Sequence, residues 1–145
     1  MIDSTKTPLS FWIISIIALI WNAMGCFQWF VEYGYYTKPE TREALPEVMR
    51  GMYDSQGDWL YVVFAIAVLS GLIGSIGLLM KKAWSDGAFL ISLITVIILH
   101  GYSLIASDYI EKLGISYAIM PIIVILLAVF LLYYAKKNKA LGILS

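Results

Sequence analysis

The sequence predicts an all-α membrane protein, a four-transmembrane-helix bundle with a short amphipathic helix in the first loop. Three observations carry this prediction. Hydrophobic residues make up 61% of the chain and charged residues 14%, whereas a soluble domain is about half apolar and about a quarter charged. The excess is gathered into four blocks separated by charge clusters, each close to the ~20 residues that cross a ~30 Å hydrocarbon core. No block alternates with a period of two, so helices rather than strands must satisfy the backbone inside the bilayer.

Residues 1–145 form a single transmembrane domain. The first span is placed at 9–31. Before it lies a short stretch with Lys6, but no Ala-x-Ala site follows the apolar run and three more runs succeed it. It therefore reads as an uncleaved span rather than a signal peptide. The extramembrane loop covers 32–58. In it, Thr37 and Glu40 have the spacing of a capping box, with Pro39 between them. Ala44, Leu45, Val48, Met49, Met52 and Tyr53 share one helical face, while Glu43, Glu47, Arg50 and Asp54 take the other. Pro46 divides this region into two short helices and opens the second, in which Val48, Met49 and Met52 are expected to be buried. Docking at the membrane interface and lidding of the bundle both fit such a helix.

The second span is placed at 59–80. Its Ser70, Gly71, Gly74, Ser75 and Gly77 form small-xxx-small pairs, which let helix backbones approach closely in lipid. The partner is either a neighbouring span or another chain. The third span, 88–107, carries Thr95, His100 and Tyr102. The fourth, 115–134, carries Pro121 in its early part.

Basic residues orient the bundle. Lys6, Lys81, Lys82, Lys136, Lys137 and Lys139 fall on one side, and Lys38, Arg42, Arg50 and Lys112 on the other. The Lys81–Lys82 pair abuts a helix end. Both termini are therefore expected in the cytoplasm of a cell with this protein in its inner membrane. Asp3 and Asp86 share that side with the lysines, and the other eight acidic residues lie outside. Trp29, Tyr33, Tyr35, Tyr36, Trp59, Tyr61, Tyr109 and Tyr117 collect near the outer surface, and Trp12, Trp84, Tyr133 and Tyr134 near the inner one, as interfacial belts.

Several functions are excluded. Ten basic residues balance ten acidic ones, which leaves no basic footprint for nucleic acid. Cys26 is the only cysteine and His100 the only histidine. This removes paired-thiol redox chemistry, bis-histidine haem ligation and a credible metal site. No carboxylate lies near the middle of a span, as proton-coupled export would need. No nucleophile–base pair stands out, so the chain is not expected to be an enzyme and no cofactor is implied.

Polar groups inside the spans mark the candidate site. Asn22, Gly25, Trp29 and Glu32 form a stripe on the first helix. Asn22 and His100 are expected at similar depth, two thirds of the way outward. An outward-facing pocket would then combine Asn22, Trp29, His100 and Tyr102. The alternative is that Asn22 and His100 only hydrogen-bond neighbouring helices.

Across nearly its whole length the chain resembles a family of small bacterial four-span proteins labelled "sugar transporter". The resemblance rests on Phe11-Trp12-Ile13-Ile14-Ser15 and Trp21-Asn22-Ala23-Met24-Gly25 in the first span. It continues in Ala65-Ile66-Ala67-Val68, Ser70-Gly71 and Gly74, in the Tyr102 region, in Ile110-Glu111, Gly114 and Met120-Pro121-Ile122, and in the Tyr134–Lys137 tail. It implies transport of a neutral polar solute such as a sugar. Four helices alone rarely enclose a water path, so such transport is expected to need a homodimer. The chain departs from the pattern at two places. Ser55-Gln56-Gly57-Asp58 stands where a proline is expected before Trp59, and Leu99-His100-Gly101 stands where amide side chains are expected. The competing reading is a non-transporting scaffold or accessory subunit whose glycine face meets another membrane protein.

Overall fold

Each helix boundary follows from a local residue choice. In the computed structural model, which describes residues 6–145, α1 runs from Leu9 to Thr37. It stops because Lys38 precedes Pro39 and is forced into extended backbone (φ −114°, ψ 107°). Pro39 then opens the short α2, Pro39–Glu43. The Thr41 hydroxyl donates to the Gly34 carbonyl at 2.8 Å, beside the Lys38 N–H that the same carbonyl accepts at 2.9 Å. Pro46 in turn precedes α3, Glu47–Ser55. Asp58, favourably placed against the helix dipole, begins α4, Asp58–Leu79. α5 covers Ser85–Gly101 and continues as one π-helical turn, Tyr102–Ala106. A short α6, Tyr109–Leu113, turns at Gly114 (φ 91°) into a 3-10 turn, Ile115–Ala118. α7 follows from Ile119 to Ala140, with Pro121 in its first turn, where a missing N–H costs least.

Four of these helical stretches, Leu9–Thr37, Asp58–Leu79, Ser85–Ala106 and Ile115–Ala140, are long and apolar enough to cross a bilayer. The protein is a multi-pass membrane protein built as an all-α bundle, and the described residues contain no strand. Asp3, placed by the sequence on the lysine side, lies outside the described residues.

The bundle packs in chain order, α1 on α4, α4 on α5 and α5 on α7. α4 is central because its small residues allow close approach. A Cβ added at Gly74 would stand 2.9 Å from the Phe89 ring, and one at Gly77 would stand 2.6 Å from Trp84. At Gly71 it would collide with the Asn22 amide oxygen and lie 3.2 Å from the Ser92 hydroxyl. The Asn22 amide donates to the Ser75 hydroxyl at 3.0 Å and to the Ala18 carbonyl at 2.9 Å. The Ser92 hydroxyl donates across to the Ala67 carbonyl at 2.9 Å. The small-residue face of α4 is thus filled by α1 and α5 of the same chain. Ser70 turns its hydroxyl onto its own helix, at the Ile66 carbonyl.

The end that carries Lys81, Lys82 and Lys139 is tightly closed. Phe11, Ala18, Leu78, Phe89, Leu131, Ala135 and Leu144 form one buried cluster. α4 ends in a Schellman motif, with Lys82 N–H bonded to the Gly77 carbonyl at 2.8 Å and Lys81 N–H to the Leu78 carbonyl at 3.0 Å. Lys81 takes the left-handed position (φ 54°) that glycine usually fills. Its ammonium reaches the Thr7 hydroxyl at 2.9 Å and lies 5.6 Å from the centre of the Trp12 ring. α7 ends in the same motif at Gly142. The chain then pairs back, Ser145 N–H to the Lys81 carbonyl and Ala83 N–H to the Ser145 carbonyl. A Lys139–Asp86 ion pair at 3.1 Å ties α7 to α5.

Several expectations need correction. The α1 helix continues to Thr37, past the expected span end, so Glu32 lies on a helix and not in a loop. Thr37 is no N-cap, since its hydroxyl donates back to the Tyr33 carbonyl. Val48 and Met49 are exposed and Met52 is half-buried, because α3 turns Arg50, Met52 and Tyr53 inward. Lys136, Lys137 and Lys139 belong to α7 rather than to a tail.

The packing at Gly71 predicts a non-additive mutant cycle. Gly71→Ala should lower the thermal midpoint in detergent, by about 1–3 kcal/mol in stability for an overpacked site. In an Asn22→Ala background the same change should cost clearly less. Equal costs in both backgrounds would mean that Gly71 and Asn22 do not oppose each other.

Candidate functional site

α1 and α7 touch at the lysine end, where Phe11 stacks on Tyr134 with centroids 6.3 Å apart. Toward the long-loop end they part, and a cavity of about 520 Å³ lies between them with α4 and α5 behind. α1 contributes Trp21, Asn22, Gly25, Gln28 and Glu32, and α7 contributes Met120, Val124, Ala128 and Leu131. α4 adds Phe64, Ala67 and Val68, and α5 adds Ser92, Val96, Leu99 and His100. The walls are chiefly hydrocarbon. Polar groups gather at the deep end, Asn22 and Ser92, and again at the loop end, Gln28, Glu32 and His100.

A second, smaller cavity of about 110 Å³ adjoins it. Glu32, Phe64, Leu99 and His100 border both. This outer vestibule is lined further by Tyr36, Tyr61, Ser103 and Tyr117, and by Tyr53 and Gln56 from α3 and its end. α3 is held over it by Arg42, which pairs with Asp54 at 2.7 Å. The same guanidinium donates to the Tyr35 carbonyl at 2.9 Å and the Tyr36 carbonyl at 2.6 Å. It thereby staples the end of α1 to the end of α3. Tyr53 packs near Tyr35, with ring centres 5.7 Å apart. Burial, and next the Glu32 carboxylate, push the Tyr53 hydroxyl above its ordinary range. Burial likewise raises Tyr109, on α6, to about 12, with Tyr102 and Tyr117 adding to the effect. Both phenols are therefore neutral hydrogen-bonding groups throughout the physiological range.

Of the four residues that the sequence combined into a pocket, the structure brings two to the same cavity. Asn22 and His100 both line it, but at different depths. Asn22 is level with Ser92, since both meet Gly71, and His100 lies two helical turns farther along α5, about 12 Å. Trp29 and Tyr102 line neither cavity. Trp29 points at α4, where its indole N–H donates to the Tyr61 carbonyl at 3.3 Å and the Tyr61 hydroxyl returns a bond to the Trp29 carbonyl at 3.2 Å. Their rings stack at 4.9 Å. Tyr102 meets Trp59 edge-on at 5.4 Å. The cavity face of α1 is 21, 25, 28 and 32, one position around the helix from Trp29.

Glu32 and the tyrosines of the vestibule line the cavities without having been among the four residues that the sequence combined. Glu32 shares a stripe of α1 with Asn22 and Gly25, but it lies beyond the apolar block. The π-helical turn, closed by Ser107 N–H to the Tyr102 carbonyl at 3.0 Å, had no sequence signal. Such turns frequently sit beside functional sites, and here the turn carries the Ser103 that lines the vestibule. The described residues contain no group of metal-ligating side chains. Comparison of the chain with protein-family models, with curated proteins and with solved structures gives no match.

The two polar residues of the main cavity differ in what they do for the fold. Both Asn22 amide hydrogens are bonded within the bundle. The His100 ring makes no hydrogen bond to the described residues and faces open space. Asn22→Leu should therefore lower the thermal midpoint of the ligand-free protein. His100→Leu should leave it unchanged or raise it, because an unpaired polar ring is replaced by hydrocarbon of similar size. A loss as large for His100→Leu as for Asn22→Leu would show that the imidazole is a packing element.

Proposed function

We propose that this protein is a small transport-type membrane protein that binds one small solute between α1 and α7. The cavity of about 520 Å³ carries the reading. Its volume lies in the ~300–1,000 Å³ range of ligand pockets, and its apolar walls with a few convergent polar groups match their usual chemistry. A packed four-helix scaffold has no need of such a space, since protein interiors leave few voids larger than water. The scaffold reading also loses its surface, because the glycine face of α4 is occupied within the chain.

The solute expected from the family resemblance is a sugar. The wall chemistry supports a different class, an amphiphile whose apolar part fills the cleft and whose polar part lies at His100 and the vestibule. A sugar needs hydrogen bonds around its whole rim, and the middle of this cavity offers Val96, Val124 and Ala128. The long gap between α1 and α7 gives such a solute a lateral route from the lipid. The protein acts in a bacterial inner membrane with both termini cytoplasmic, so the vestibule faces outward. A homodimer completes any water path.

Two measurements test this. A reporter active only outside the cytoplasm should work at Gln56 and fail at Ser85, and the reverse pattern overturns the orientation. In nanodiscs, hexanol should raise the thermal midpoint, methyl glucoside should not, and Val96→Trp, which fills the cleft, should abolish the hexanol response while the protein stays folded. A response to the glucoside alone would restore the sugar reading. No response to any solute would mean that the cleft is merely filled by lipid chains.

A further inference from the structure

The vestibule has an electrostatic character that the binding of an amphiphile does not by itself require. Glu32 borders both cavities, and no lysine or arginine lines either. Among the described residues Glu32 takes part in none of the ion pairs, which join Arg42 to Asp54, Lys112 to Asp108 and Lys139 to Asp86. Its hydrogen-bond partner is the neutral Gln28 amide one turn earlier, which donates at 3.3 Å. The same small space is lined by four tyrosines, Tyr36, Tyr53, Tyr61 and Tyr117, of which Tyr61 already stacks on Tyr36 and on Trp29. They come from α1, α3, α4 and the 3-10 turn before α7, so the fold gathers them from across the chain.

A carboxylate without a cation, set among electron-rich rings and phenol oxygens, is a negative site. Aromatic rings attract cations through their negative faces, and rings grouped around one space recognise organic ammonium groups. Glu32 is half-buried and bonded to the exposed Gln28 amide, and an ammonium guest would favour its charged form. The vestibule, about 110 Å³, has room for a head group and not for a whole ligand. The adjoining cleft, about 520 Å³ and walled by hydrocarbon, has room for the apolar remainder.

We infer that the ligand is an amphiphilic organic cation, with its ammonium group held by Glu32 and the vestibule tyrosines and its apolar body in the cleft between α1 and α7. This deepens the ligand reading above and rests on it. The cleft volume is that of one drug-sized molecule, so the occupant is a small single-tailed cation rather than a two-chain phospholipid.

The test uses three probes with one tail, hexyltrimethylammonium, hexanol and hexanesulfonate. Each is titrated into the protein in phosphatidylglycerol nanodiscs, with empty discs subtracted. The ammonium should bind at least about tenfold more tightly than hexanol, the margin that desolvated cation–π and charge contacts supply. Glu32→Gln should erase most of that margin, weakening the ammonium about tenfold while hexanol, which has no charge to pair, changes far less. Tyr53→Leu, on α3 outside the spans, should weaken the ammonium several-fold and by a larger factor than hexanol, and it keeps the test open if Glu32→Gln does not fold. Adding phosphatidylethanolamine to the discs should leave the ammonium affinity unchanged. Equal binding of ammonium and hexanol, or tighter binding of the sulfonate, overturns the cation assignment while the amphiphile site stands. Failure of all three probes overturns the site itself. Loss of affinity in phosphatidylethanolamine discs overturns the small-molecule source in favour of a lipid head group.

Discussion

The rest of the bundle depends on the close approach of three helices at Gly71. Lipid tails are as apolar as the side chains they meet, so burial against lipid gives helices no reason to associate. Contact must come from packing and hydrogen bonds, and both need backbones near each other. Gly71 supplies this by leaving room for the Asn22 amide from α1 and the Ser92 hydroxyl from α5 in one place. Ser75 takes an Asn22 hydrogen, and Ser92 reaches the Ala67 carbonyl. Gly74 and Gly77 extend the contact toward the lysine end, against Phe89 and Trp84. There Phe11 and Leu131 close the fourth side. The helices are therefore drawn together over one half of their length.

The open half follows from the closed one. α7 packs chiefly on α5 and meets α1 through Phe11 and Tyr134 near the lysine end. Beyond that contact α1 is committed to α4. Gly25 lies against Val68, and Trp29 and Tyr61 exchange hydrogen bonds between side chain and backbone. α1 cannot satisfy those contacts and also cover α7. What separates them is the cavity, and the tyrosine-rich vestibule caps it because Arg42 holds α3 to the end of α1.

The sequence carried this architecture unevenly, for identifiable reasons. Span existence was legible because hydrocarbon thickness dictates block length and leaves few alternatives. The small residues of α4 were legible as a close-packing face, though not which helices meet it. Span ends were less so. Glu32, Tyr33 and Tyr36 look like a loop by composition, yet α1 keeps its hydrogen bonds to Thr37 because those side chains face the cavity, the belt and α4. Helical phase was the other limit. Trp29 and Gln28 are one position apart, about 100° around an α-helix, and only the packing on Tyr61 decides which of them faces the cavity. Tyr102 falls at the point where a π-helical turn changes the phase altogether. Arg42 sat in a charged loop with no pattern to distinguish it from its neighbours.

The proposed site is built around Glu32, a carboxylate near the loop end of α1. A lone carboxylate at the edge of the hydrocarbon is normally protonated or paired. Here the neighbouring elements provide no basic side chain to the cavities. They provide instead Gln28, phenol groups and an open space leading toward the surface through the vestibule. Each tyrosine also has a structural task, since Tyr36 stacks on Tyr61 at 5.3 Å and Tyr53 packs against Tyr35. These pairs hold the rings rigid without a ligand, so little ordering remains to be done when one binds. The polar floor at Asn22 is already spent on the fold, whereas Glu32 and His100 are not. Free binding capacity is thus confined to the loop end, and a ligand with one polar head and one apolar body would enter in a single orientation.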